Sequence, residues 1–226
     1  MNGKGLIIMR NDIKMFNNVK ELIYNSAEQY SNNIAFTTKI QVGDKQEYKE
    51  TTYKELLEDI NCLGTALYNL GLEESRVAVV GKNSYKWAIA HLANLLGGIV
   101  SVPLDKGLQL EELENSLIRS KVEGIVFDEK HKDFIEQIKA NGKTQIKHYI
   151  SMSELDGFEN IDSLIQVGRK LIGDGNKKYI EKEIDSDKMG ILLFTSGTTS
   201  QSKAVMLSQK GITTNIYDMQ LVETFY

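Results

Sequence analysis

From Arg76 onward the chain alternates short apolar runs with longer amphipathic ones, and this rhythm most limits the folds open to it. Arg76 to Val80 is an apolar run of strand length, and Tyr85 to Leu96 has helical spacing. Gly97-Gly98 then interrupts, and Ile99 to Leu104 is extended through Pro103, the one proline of the chain. The pattern recurs as a helix near Leu110 to Arg119, a strand at Gly124 to Phe127, a helix near Lys132 to Ala140 and a strand at Ile146 to Ser151. Strands and helices alternating with short links need crossover connections, which are right-handed and place helices on both faces of a parallel sheet. The expected class is α/β, a three-layer arrangement with a mostly parallel sheet.

The segment before this alternation is read from local signals. Residues through Asn18 are expected to be loosely structured. Leu22, Ile23, Ala27 and Tyr30 then fall on one face of a helix from Val19 to Tyr30. Ile34 to Ile40 and Glu47 to Thr51 read as a hairpin turning at Gly43-Asp44. Thr52 and Glu55 stand at capping-box spacing before a helix carrying Leu56, Ile60, Leu63, Leu67 and Leu70, with Gly71 as its C-terminal stop. Later, Ile161 to Leu171 reads as a helix and Gly173-Asp174-Gly175-Asn176 as a turn. Ser208 is a plausible N-cap for a helix running to the end of the chain, which shows no stop signal there.

Composition narrows the functional classes. The 31 acidic and 27 basic residues give a net charge of −4 with no basic block, which argues against a nucleic-acid partner. One cysteine, Cys62, excludes an internal disulfide framework and reads as a packed thiol in a reducing cytosol. Leu6-Ile7-Ile8-Met9 is too short for a signal-peptide core, and no run approaches the roughly 18 apolar residues of a membrane span. His91, His131 and His148 lack ligand spacing, so they are read as surface or satisfied histidines and no metal ligand is assigned.

The stretch that carries chemistry runs from Ile191 to Ser208. An apolar run of buried-strand character empties into Thr195-Ser196-Gly197-Thr198-Thr199-Ser200-Gln201-Ser202-Lys203, after which apolar character resumes. Gly197 gives the backbone turns in which successive N–H groups converge on an anion. The hydroxyls of Thr195, Ser196, Thr198 and Thr199 add uncharged donors, and Lys203 adds a movable point charge. Such a loop suits a polyphosphate, although Ser/Thr/Gly clusters after strands are commonly plain surface loops. It is not a Walker A loop, which needs Gly directly before the lysine and Ser or Thr directly after it; here Ser202 and Ala204 flank Lys203.

Phe194 to Lys203 resembles the phosphate loop of the adenylate-forming superfamily, which includes acyl-CoA synthetases, luciferases and peptide-synthetase adenylation domains. Leu207-Ser208-Gln209-Lys210-Gly211-Ile212 resembles the L-S-H-x-N-L segment that follows that loop. Thr51 to Leu56, Leu70-Gly71-Leu72, Arg76 to Val80, Asn83-Ser84 with Trp87, Gly97-Gly98 and Val102 to Asp105 match further family segments in order. Trp87 and Gly97-Gly98 are read as packing residues and locate the fold, not the site. The overall cast is most similar to the long-chain fatty acid-CoA ligase branch.

The resemblance implies a reaction in which a carboxylate attacks the α-phosphate of ATP, pyrophosphate leaves, and the acyl-adenylate passes its acyl group to coenzyme A. ATP, Mg2+ and coenzyme A are the implied cofactors, and a small carboxylic acid the implied substrate. Thr195, Ser196, Gly197, Thr198, Thr199 and Lys203 are the implied nucleotide-binding residues, with Lys203 the catalytic one. The resemblance makes residues 19–226 the N-terminal portion of an adenylation domain. Within it, 71–207 is the main α/β subdomain and 208–226 the start of the next. Ser200, Ser202 and Ala204 stand where the family has Gly, Pro and Gly. The adenine-binding Y-G-x-T-E motif, the ribose-binding aspartate and the C-terminal lysine find no match, so this stretch is not expected to complete the reaction. Adenylation of an amino or aromatic acid, and a non-catalytic relative with an altered loop, stay open as alternatives. The expected location is cytoplasmic, with peripheral membrane contact allowed; oligomeric state is not legible.

Overall fold

The structure is a computed structural model and describes residues 14–43, 45–195 and 203–222. Residues 14–17 lie outside helix and strand, and Asn18 caps α1 (Val19–Gln29), its Oδ1 accepting from Glu21 N at 2.9 Å. Strands β1 (Ile34–Val42) and β2 (Lys45–Thr52) pair antiparallel, two residues longer in each strand-to-turn approach than the sequence suggests, and Gly43 takes φ +59° at the turn. Asp44, the other expected turn residue, lies outside the described residues. The capping box forms as read: Thr52 N donates to Glu55 Oε2 at 2.8 Å and Glu55 N to Thr52 Oγ1 at 3.3 Å, opening α2 (Tyr53–Asn69). Gly71, at φ +80°, ends that helix, with Leu72 N returning to Leu67 O at 3.1 Å.

The alternating half folds as β3 (Arg76–Val80), α3 (Tyr85–Leu96), β4 (Val100–Leu104), α4 (Leu110–Ser120), β5 (Gly124–Phe127), a single 3-10 turn at Glu129–His131, α5 (Lys132–Asn141) and β6 (His148–Ser151). It continues through the short β7 (Glu159–Asn160), α6 (Ile161–Gly173), β8 (Met189–Thr195), β9 (Lys203–Ser208) and α7 (Gln209–Val222). The sheet has seven strands in the order β7-β6-β5-β3-β4-β8-β9. All neighbours are parallel except β8 and β9, so the sheet is mostly parallel as expected, with one antiparallel edge.

Side chains alternate across a strand, and here each face feeds its own core. Val77 and Val79 of β3, with Val126 and Ile150, pack beneath α1, α2, α3 and α6. Ala78 and Val80, with Ile125 and Phe127, pack beneath α4 and α5. This is the three-layer, doubly wound arrangement that the alternation implies.

On the first face α2 and α6 approach so closely that a Cβ on Gly168 would lie 1.8 Å from Cys62 O, a backbone atom that cannot swing aside. Cys62 is accordingly a buried free thiol. Tyr179, fully buried, joins this layer to α3: its hydroxyl donates to Ala93 O at 2.9 Å and its ring meets Tyr68 edge-on at 5.2 Å. Gly168→Ala is expected to cost on the order of 3 kcal/mol or more by forcing the helices apart, measured as a fall in the urea midpoint.

His91 stacks on Trp87, its Nδ1 2.7 Å from Ser101 Oγ, while Asn94 Nδ2 donates to the same hydroxyl at 3.3 Å. Burial pushes the imidazole pKa down from 6.5 to about 4. The unfolded chain therefore binds the extra proton between those values, and stability, complete above about pH 6.5, is lost as pH falls toward 4. The loss is expected to approach about 3 kcal/mol and to be much reduced in His91→Gln, measured by denaturant titration across that range.

Candidate phosphate-binding site

Burial falls steadily along β8, from Ile191 and Leu192 in the core to the exposed Thr195, so the strand delivers its end to solvent. Because β8 runs parallel to β4, that end lies on the carboxyl side of the sheet, where open α/β folds place their ligands. The chain then returns antiparallel: Leu192 faces Met206, Leu193 faces Val205, Phe194 faces Ala204 and Thr195 faces Lys203. The apolar run after Lys203 is thus a strand, and residues 196–202 connect the two arms of a hairpin. Directly opposed residues share a face, so Thr195 and Lys203 stand together at the neck, with Thr195 Oγ1 donating to Lys203 O at 3.5 Å. Of the candidate site residues, the structure brings these two together; Ser196, Gly197, Thr198 and Thr199 lie outside the described residues, as do Ser200 and Ser202.

Ala204 bears on the sequence departures. It lies within β9 and is not among the residues of positive φ, so a glycine is not required there for backbone reasons.

Two residues that sequence reasoning did not single out hold the hairpin. Gln209, 2% exposed at the start of α7, donates from Nε2 to Leu95 O at 2.9 Å and accepts at Oε1 from Val19 N at 3.2 Å. One amide thereby ties the base of β9 to the end of α3 and the start of α1, and its side chain packs against Gly190 of β8. Ser208 caps α7 as read, its Oγ accepting from Gly211 N at 3.1 Å. Arg119 is the other: its guanidinium lies 5.3 Å from the centre of the Phe194 ring, one residue before Thr195. An isolated Gln or Arg carries no positional signal in a sequence, since its partners lie far away along the chain.

The far side of the same carboxyl edge is also ordered by a buried contact. Asp128, after β5, accepts at Oδ2 from Lys82 N at 2.7 Å, and its Oδ1 lies 2.6 Å from His131 Nδ1. His131 Nε2 is 3.2 Å from Lys106 O, so the ring spans from Asp128 to the loop after β4. The loops after β3, β4 and β5 are linked through this pair. Burial alone would raise the Asp128 pKa, but the hydrogen bonds from His131 and Lys82 N outweigh it and hold the carboxyl below its usual range. Among the described residues no group of three or more acidic, His or Cys side chains could hold a metal ion, and no helix is long and apolar enough to cross a membrane.

The doubly wound, mostly parallel sheet with Thr195 and Lys203 opposed at its carboxyl edge places the chain among open α/β folds. The chain belongs to the AMP-binding enzyme family, whose model matches residues 23–226. It is 26% identical over 197 residues to 4-coumarate--CoA ligase-like 1 of Arabidopsis thaliana, covering 87% of this chain and 33% of that protein. It is 26% identical over 200 residues to long chain acyl-CoA synthetase 4 of the same plant, covering 84% and 30%. The chain spans about a third of the length of these curated relatives. Among solved structures it superposes on a red-emitting luciferase of Phrixothrix hirtus with TM-score 0.72 and 21% identity, covering 92% of this chain and 39% of that one. It also superposes on an anthranilate CoA ligase in complex with anthranoyl-AMP, with TM-score 0.69 and 18% identity, covering 88% and 36%.

Loss of the Gln209 amide leaves Val19 N–H buried without its partner. Gln209→Ala is expected to cost about 1–3 kcal/mol, while Gln209→Glu, which keeps the acceptor, loses less of the α1 contact; chemical denaturation compares the two.

Proposed function

We propose that this chain supplies the ATP-phosphate site of an AMP-forming ligase that activates a carboxylic acid, in first choice a long-chain fatty acid, and passes it to coenzyme A. The observation that carries the reading is the register of β8 against β9, which sets Thr195 opposite Lys203 at the carboxyl edge of the sheet. A paired neck holds both ends of the loop before any ligand arrives, so less ordering is left to oppose binding.

In this reading the carboxylate oxygen attacks the α-phosphorus, the bond to the bridging oxygen breaks, and pyrophosphate carries the electron pair away. Negative charge grows on the leaving group. The ammonium of Lys203 and the hydroxyls of Thr195, Ser196, Thr198 and Thr199, with the backbone at Gly197, meet that charge and hold the α-phosphate in line. Their work is orientation and charge stabilisation, with no proton transferred. Mg2+ bound with the nucleotide would supply charge screening at the phosphate oxygens, beside the loop's neutral hydroxyls and Lys203. Residues 71–207 then form the nucleotide-facing subdomain and α7 opens the next. Groups for the adenine, ribose and thiol come from outside this stretch.

Likeness to a long chain acyl-CoA synthetase supports the fatty acid, and likeness to a 4-coumarate--CoA ligase-like protein supports an aromatic acid as the second reading. Carboxylate-dependent ATP–pyrophosphate exchange on a protein that contains this chain in full tests both, with fatty, aromatic and amino acids as the panel. Exchange confined to fatty acids is the expected result. Lys203→Ala is expected to lower the exchange rate on the order of 10²–10³-fold; an unchanged rate would remove Lys203 from the site, and no exchange with any acid from folded protein would favour the non-catalytic alternative.

A further inference from the structure

Lys20, in the first turn of α1, reaches the chain that leads from α6 to β8. Its Nζ donates to Tyr179 O at 3.1 Å and to Lys182 O at 2.8 Å. Among the described residues it makes no ion pair. The carboxylates of Glu73 and Glu74 are taken by Lys178 and Lys182. A lysine held by a carboxylate must stay charged to keep its ion pair, whereas a carbonyl oxygen also accepts from a neutral amine. The neutral group has two N–H bonds, one for each carbonyl, and a lone pair left over. Losing a proton therefore costs Lys20 neither hydrogen bond.

The surroundings disfavour the ammonium. Burial first, and the like charge of Lys182 second, bring the Lys20 pKa down from 10.5 to about 8. Burial acts on Lys182 in the same direction, but its hydrogen bonds to Glu74 and Glu73 outweigh it and raise that pKa, so Lys182 stays charged and the repulsion persists. The Tyr24 and Tyr179 rings pull the other way, with their centres 5.7 and 5.8 Å from Lys20 Nζ, near the outer limit of a cation–ring attraction. A lysine taken out of water beside a second cation is the arrangement that makes an amine nucleophilic near neutral pH. Lys20 is half-buried, so the amine is screened from water and not sealed off.

We propose that Lys20 is a modification site, acylated by small acyl thioesters, and that acylation releases the start of α1 from residues 179–182. The neutral Nζ attacks the thioester carbonyl carbon; the C–N bond forms as the C–S bond breaks, the thiolate leaves with the electron pair, and the amine proton passes to water. The amide that results has one N–H for two carbonyls, so one of Tyr179 O and Lys182 O loses its donor. Val19, the adjacent residue, donates its N–H to Gln209, so the release reaches the anchor of β9. The proposal stands independently of the ligase reading, because the thioester comes from solution and Lys20 is not part of the phosphate loop.

The test incubates a protein that contains this chain in full with S-acetyl-N-acetylcysteamine, a small acyl thioester, and reads acetyl occupancy at each lysine by peptide mass spectrometry. At pH 7.5 Lys20 is expected to react on the order of tenfold faster than the exposed, carboxylate-paired Lys178, because its larger neutral fraction outweighs its lower basicity. The Lys20 rate is expected to level off above about pH 8, where that of Lys178 still rises, and the advantage to vanish in urea. Hydrogen exchange then reads the release: α1 amides of acetylated protein are expected to exchange at least about threefold faster than before treatment, and those of an identically treated Lys20→Arg variant to be unchanged. A Lys20 rate no greater than that of Lys178, an advantage that survives in urea, or a rate that climbs through pH 10 would each overturn the site. Unchanged α1 exchange after acetylation, or an equal change in Lys20→Arg, would overturn the release.

Discussion

The two-sided burial of β3 is the constraint on which the rest of the structure depends. Val77, Ala78, Val79 and Val80 are each fully buried, so neither face of the strand can meet water. A strand of this kind needs a paired neighbour on each edge and a helical layer on each face, since an unpaired backbone group in that interior would forfeit its hydrogen bonds. β4 and β5 supply the edges, and the crossover helices α3, between β3 and β4, and α4, between β4 and β5, supply the two faces. The carboxyl ends of all the parallel strands then point the same way, and that common edge is where the loops with chemistry gather.

The candidate site depends on this frame through very few contacts. β8 touches the parallel sheet over a short register, with Ser101 facing Ile191, so the hairpin would be weakly held by strand pairing alone. Gln209 makes up the difference by joining three elements in one buried amide, and Arg119 covers Phe194 from α4. The neck of the loop is thus set by residues outside it. At the opposite side of the same edge, Asp128 and His131 join the loops after β3, β4 and β5, so the rim there is built from backbone held by side-chain contacts.

What was legible in the sequence was whatever depends on near neighbours. The capping box at Thr52 and Glu55, the stop at Gly71, the Ser208 cap and the period of each helix rest on groups a few residues apart. Strands β3 and β5 were legible for a related reason, because burial on both faces leaves a nearly unbroken apolar run. The candidate phosphate loop rests on its order of small hydroxylated residues, most of which lie outside the described residues, while the resemblance to adenylate-forming enzymes agrees with the family to which the chain belongs.

The sequence by itself determined the local elements, the class of fold and the candidate loop, because each follows from propensity and period over a short span. Tertiary structure alone decided that Lys203 to Ser208 turns back as a strand and sets Lys203 opposite Thr195, because strand pairing is a choice of partner that no single run of residues encodes. It alone revealed Gln209 as the anchor and Gly168 as the point of closest helix approach, since the groups in each contact lie far apart along the chain and meet only once the sheet is wound.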